Sequence, residues 1–213
     1  MGQDAASIRH HCRNTNVVGN YFSDKVDYET AIEQFDSLDS DDAKTREVYA
    51  HFGLTIFMCQ LIEQQSMNMI ATLRQVTGKF ATKEEVAALW DNYDFGPRTL
   101  GTLINEIKQL YKLTDDDQKE LKEILRLRNY FAHDYFRFNN ELFFSDSGKK
   151  RMIKDFVDFK IRIRAIDKKL LEYMRVYREK SGMTEELIDK LAKEMRDEWE
   201  KKEIDDNHTT FKK

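Results

Sequence analysis

One proline in 213 residues, Pro97, and only eight glycines leave this chain almost nothing to interrupt a helix. Proline in a helix interior removes a hydrogen bond and clashes with the preceding turn; glycine costs backbone entropy. So few breakers favour long helices, and no alternating strand pattern or internal repeat competes with them. Charged residues make up 35% of the chain, yet aromatics reach 12%, chiefly Phe and Tyr, which supplies a core and argues against disorder. The length suits one domain with an appended helical arm. The expected class is therefore all-α: a helical bundle with an additional long basic helix and a C-terminal helical extension.

Periodicity and capping residues place the elements. A short amphipathic helix is expected within residues 21–38, around Tyr28, Ile32 and Phe35. Ser40-Asp41-Asp42 marks the acidic start of a long helix reaching about Val76. From Tyr49 to Ile62 that helix is apolar almost all round, which predicts a buried central element. Gly53 would admit a close neighbour, and Gln60 and Glu63 fall near the face of Tyr49 and Ile56. Thr82-Lys83-Glu84-Glu85 has capping-box spacing and opens a short helix to Trp90. A turn follows from Asn92 to Pro97. Thr99 to Leu113 reads as a helix with Leu103, Ile104, Ile107, Leu110 and Tyr111 on one side. Thr114 caps the next helix, expected to run unbroken to Asn139, with a bend at Asn139-Asn140 and a loop over Ser145–Gly148. A basic helix spans residues 149–180, with Gly182 as its stop. Thr184-Glu185-Glu186 starts a last helix carrying Leu187, Leu191, Met195 and Trp199. The expected division is a polar, acidic extension (1–40), a helical domain (41–182), and a C-terminal helix with a frayed tail (183–213).

Several functions find no footing. The first twenty residues lack a signal-peptide apolar region, and Leu54–Ile62 is too short to span a bilayer. Two cysteines, Cys12 and Cys59, make no disulfide framework, so a reducing cytoplasm is expected. His10-His11-Cys12 has no second pair at matching spacing, so no metal site and no cofactor are expected. Ser145-Asp-Ser-Gly148 precedes lysines but lacks the P-loop frame.

Net charge is −4, but it is unevenly spread. Residues 1–48 carry ten acidic and five basic side chains; residues 149–180 carry twelve basic and five acidic. The basic arm reads either as a nucleic-acid-binding surface or as a solvated helix face.

One short stretch carries chemistry: Arg128-Asn129-Tyr130-Phe131-Ala132-His133, followed by Tyr135. On a continuous helix Leu121, Ile124, Leu125, Phe131, Ala132, Tyr135 and Phe136 share a broad apolar arc with Arg128 near its middle. Tyr135 would lie almost above Arg128. Asn129 and His133, four apart, share a flank about 100–140° away. An arginine keeps its charge, so burying it demands a partner. Three readings stand open: an ion pair with a carboxylate such as Glu63, a subunit interface, or a cleft that receives phosphate. His133 suits acid–base work or a structural role, with Asn129 placed to orient its ring. Tyr135 suits core packing, a hydrogen bond to Arg128 or substrate, or modification.

Arg128-Asn129-xxx-His133 resembles the Arg-x4–6-His signature of the HEPN superfamily, all-α domains that often act as metal-independent ribonucleases. Its extension to Tyr135 resembles the Arg-x4-His-x-Tyr form of HEPN toxins paired with minimal nucleotidyltransferase antitoxins, which modify the tyrosine. The apolar first helix and Thr99-Leu-Gly-Thr-Leu-Ile104 look like flanking sequence in HEPN-like bacterial proteins. The resemblance covers mainly residues 45–180; the N- and C-terminal additions depart from the minimal toxins. It implies RNA cleavage with Arg128, His133 and Asn129 as catalytic residues, Tyr135 as a substrate or modification residue, and a homodimer. It also implies a toxin, stress or phage-defence role, with an antitoxin or nucleotidyltransferase as partner. A non-catalytic sensor or adaptor, or a transcriptional co-regulator working by protein contacts, is the alternative.

Overall fold

The computed structural model describes residues 28–77 and 99–180, with single positions between 184 and 197. The capping box at Thr82, the Pro97 turn, Gly182, the His10-His11-Cys12 cluster and the frayed tail lie outside these residues. So do Leu187, Leu191, Met195 and Trp199, although Glu186, Asp189, Lys190, Lys193, Glu194, Arg196 and Asp197 around them are helical. Among the described residues the structure is all-α with no strand: α1 (Tyr28–Asp36), α2 (Asp41–Val76), α3 (Leu100–Tyr111), α4 (Asp115–His133), α5 (Tyr135–Asn139), a 3-10 turn (Asn140–Phe144) and α6 (Asp146–Lys180).

The two long helices, α2 and α6, form the spine and run parallel. Lys149 pairs with Asp41 and Lys44 with Asp146 at their starts. His51 meets Lys160 midway, and Thr72 meets Met174 near the far end. Parallel neighbours need a long return connection. Here α3, α4 and α5 lie within it. Helix α4 runs antiparallel to α6: Asp117 bonds Lys169 and Tyr173, Glu120 bonds Arg162, and Phe131 stacks on Phe159 at 5.0 Å. Helix α3 is tied to α2 by Tyr111, whose hydroxyl donates to the Met69 carbonyl at 2.6 Å, and by Arg74–Glu106.

Local chemistry explains the boundaries. Thr99 and Thr114 each accept a backbone N–H through their hydroxyls and so cap α3 and α4. Lys112 closes α3 at φ 51°, the left-handed region that ends a helix, and Leu113 then packs into the core. Ser145 caps α6 through the Gly148 N–H, so the expected Ser145–Gly148 loop is instead a cap followed directly by helix. Gly148 is required there, because a Cβ would collide with the Leu142 carbonyl of the 3-10 turn.

Two further expectations need correction. The helix from Thr114 does not continue to Asn139. It breaks at Asp134 (φ −123°, ψ −24°), between α4 and α5. No proline or glycine causes this. Asn139 holds the corner by donating through Nδ2 to the Tyr130 hydroxyl (2.9 Å) and the Tyr135 carbonyl (2.8 Å). Second, α2 is not buried all round between Tyr49 and Ile62. Tyr49, Gly53, Phe57 and Gln60 form an exposed stripe with roughly four-residue spacing. The short helix expected around Tyr28, Ile32 and Phe35 is α1, with Ala31 and Phe35 buried in the common core.

The charge asymmetry also finds a place. The basic start of α6 lies against the acidic α1 and the start of α2: Lys150 pairs with Asp36 and Lys149 with Asp41. Farther along, Arg162 and Lys169 pair with Glu120 and Asp117 of α4. Part of the basic arm is thus neutralised within the molecule.

Candidate functional site

The motif residues separate into two environments at the Asp134 break. Arg128 sits at the seam between α4 and α2, with its side chain 33% exposed. Its Nη2 faces Glu63 Oε1 at 3.4 Å, and its Nη1 donates to Asn129 Oδ1 at 3.1 Å. Burial pushes the Glu63 carboxyl up while the guanidinium opposes that rise. Cys59, one turn before Glu63, is buried, and its thiol is pushed up to about 12, chiefly by desolvation. It is therefore an inert thiol at neutral pH.

Of the three readings for Arg128, the geometry supplies the ion pair with Glu63. It leaves room for more. A guanidinium carries five N–H donors, and the two contacts above occupy part of that set. Asn129 and His133 are exposed on the same helix, as their shared flank predicts. The expected Asn129–His133 contact is not made; Asn129 turns its oxygen to Arg128. That arrangement fixes the guanidinium plane from two sides.

Tyr135 is elsewhere. The break at Asp134 turns it into the core, where it is 2% exposed and its hydroxyl donates to Asp155 Oδ2 at 2.8 Å. Burial, then the Asp155 carboxylate, raises its pKa beyond the ordinary phenol range. Phe156 lies 4.9 Å from its ring and Phe131 5.0 Å. Of its three candidate roles the surroundings match packing; the anticipated stacking above Arg128 requires a continuous helix that does not exist.

Beside Ala132 an open groove of about 320 Å³ runs between α2 and α4, lined by Phe52, Gly53, Ile56, Phe57, Gln60 and Ala132. The exposed stripe of α2 forms one wall. The motif helix reaches this apolar trough through Ala132, the residue before His133. A guanidinium, an amide and an imidazole can bind an anion and move a proton; they need no metal to do either. Among the described residues no cluster of His, Cys, Asp or Glu suits a metal ion.

Sequence inspection passed over a second histidine. His51 is buried on α2, with Nδ1 2.9 Å from Lys160 Nζ and Nε2 3.2 Å from Glu47 Oε1. Desolvation, then the Lys160 charge, pushes it down to about 4. Lys160 falls to about 8, through burial and then Arg164. The visible signal is the position of Lys160: it lies four residues after Phe156 and three before Ile163, on the buried stripe of α6. Asp167, farther along α6, is raised by burial to about 6.

Comparison of the chain with protein-family models, with curated proteins and with solved structures finds no match.

Proposed function

We propose that this protein is a metal-independent endoribonuclease of HEPN type, working as a homodimer in stress, toxin or phage-defence biology. The observation that carries the reading is the seam itself: Arg128 anchored by Glu63 and Asn129, with Asn129 and His133 exposed on the helix whose Ala132 lines an open apolar groove.

RNA brings its own nucleophile, the 2′-OH. Cleavage needs a proton moved and charge stabilised on the phosphorane. In this reading His133 is the general acid or base, a role worth about 10²–10⁴-fold. Arg128 binds the scissile phosphate, and Asn129 holds the guanidinium plane toward it. The products are a 2′,3′-cyclic phosphate and a 5′-OH end.

Arg128 and His133 point about 140° apart on one helix. Two copies of the motif facing across the groove remove that difficulty. The exposed α2 stripe, with Tyr49 52% exposed, offers the apolar surface that such an interface needs. A monomer by sedimentation at micromolar concentration would count heavily against the dimer. An antitoxin or nucleotidyltransferase remains a candidate partner, but modification of Tyr135 requires its hydroxyl to leave Asp155 and the core.

The Arg128–Glu63 pair favours a second reading, a non-catalytic HEPN-like adaptor that keeps the fold and uses the groove for a nucleotide or protein. A transcriptional co-regulator acting by protein contacts belongs to the same alternative. Expression toxicity separates them. The nuclease reading predicts toxicity relieved by His133→Ala; equal toxicity of both forms would sink the catalytic role.

A further inference from the structure

The segment after His133 arranges its aromatic rings in two layers. Tyr135 is buried and Phe136 and Phe143 are half-buried, with the last two stacked at 5.8 Å. Phe138 and Phe144 point outward, 62% and 90% exposed. Folding does not account for rings left in water, because each forgoes most of its burial energy. They are nevertheless firmly mounted. Asn139 ties α5 to Tyr130, and the 3-10 turn is locked against Gly148.

Arg137 adds charge to this surface. Its Nη2 is held by Asp134 Oδ1 at 2.7 Å, and its guanidinium carbon lies 4.7 Å from the Phe138 ring centroid. The result is a preformed arginine–phenylalanine pair, apolar on its faces and cationic at its edge. Nucleobases next to their phosphates have the complementary character. Phe138 follows His133 by five residues, across the corner at Asp134.

We propose that Phe138 and Phe144, with Arg137, form a stacking subsite for the unpaired bases of single-stranded RNA next to His133. The choice of ligand rests on the ribonuclease reading. The subsite selects single strands over duplex, because paired bases keep their faces covered. It holds a base flanking the phosphate presented to Arg128 and His133. It also complements the basic helix α6, four of whose cations, Lys149, Lys150, Arg162 and Lys169, pair with acidic neighbours on other helices.

The test uses the full chain and a 2′-O-methyl oligonucleotide, which has no free 2′-OH and so reports binding without cleavage. One 2-aminopurine in the strand reports stacking. Anisotropy and fluorescence are read for wild type and for Phe138→Ala, Phe144→Ala, Phe138→Leu and Phe138→Trp. Each alanine should weaken single-strand binding about ten-fold and reduce the 2-aminopurine quenching. Leucine should behave like alanine, tryptophan like wild type, and the matching duplex should bind more weakly. Unchanged affinity in the alanine variants, full binding by the leucine variant, equal duplex binding or no binding by wild type would each overturn the proposal. Loss of a dimer in Phe138→Ala would also overturn it, by assigning the ring to a protein interface. Ring-dependent binding without RNA cleavage would leave this subsite standing and remove the nuclease reading. Cleavage indifferent to both rings would do the reverse.

Discussion

His51 and Asp167 should oppose each other as the protein is acidified, and removing either should expose the other. His51 sits between Lys160 and Glu47. Its Nδ1 can accept from the Lys160 ammonium only while the ring is neutral, and a protonated ring would set two cations 2.9 Å apart. Its pKa falls from 6.5 to about 4. Between those values the unfolded chain binds a proton that the folded chain refuses, so stability is present above pH 6.5 and lost as pH falls. Asp167 does the opposite. Burial raises it from 3.8 to about 6, so the folded chain holds a proton that the unfolded chain releases, and stability grows as pH falls through 6. From pH 6.5 to 4.5 each effect amounts to about 2 kcal/mol, allowing for partial solvent screening at His51. The depressed carboxylates Asp117, Asp146 and Glu123 have reference values of 3.8–4.5 and act mainly below this window. Glu63, also raised by burial, acts in the same sense as Asp167, and wild-type stability should change less across the window than that of either variant. Asp167→Asn should lose about 2 kcal/mol on acidification, and His51→Gln, which keeps an acceptor for Lys160, should gain about as much. Urea unfolding at pH 6.5, 5.5 and 4.5 reads all three. Parallel pH slopes in the two variants would refute the assignment of these groups.

Three further outcomes follow from the packing. Arg128→Ala should cost about 1–2 kcal/mol by leaving the half-buried Glu63 unpaired, and adding Glu63→Gln should recover most of it; additive losses in the urea-measured cycle would show no coupling. Tyr135→Phe should cost about 1 kcal/mol through the lost Asp155 bond yet leave RNA cleavage unchanged. A large loss of cleavage with normal stability would return Tyr135 to the site. Phe35→Ala should cost about 3–5 kcal/mol, since its buried ring seats α1 in the core; a thermal shift near zero would make α1 a dispensable extension.

The elements most legible in the sequence were those announced by caps and by scarce breakers. Asp41–Val76 lies where its acidic start and apolar period put it, the basic helix extends to Lys180 as expected but starts three residues early at Asp146, and Thr114 caps as its position suggests. The break at Asp134 was hidden because its cause is a tertiary bond set from Asn139, not a local breaker. The exposed stripe of α2 was hidden because Tyr49 and Phe57 look like core residues until the other helices leave that side open. For the motif, helical spacing placed Asn129 and His133 on one exposed flank and singled out Glu63 as a partner for Arg128. It put Tyr135 on the apolar arc, where the structure buries it, but ran the helix through the break at Asp134. The charge blocks were visible, but their mutual neutralisation depends on α6 folding back against α1 and α2.

The central claim is that Arg128 and His133 form a site that cuts RNA without a metal. Purified protein incubated with total RNA in excess chelator tests it most directly, with wild type, Arg128→Ala and His133→Ala compared at equal folded concentration. Cleavage by wild type alone, leaving 2′,3′-cyclic phosphate and 5′-OH ends, is the predicted result. Intact RNA in all three samples, or cleavage by either variant equal to that of wild type, would contradict it.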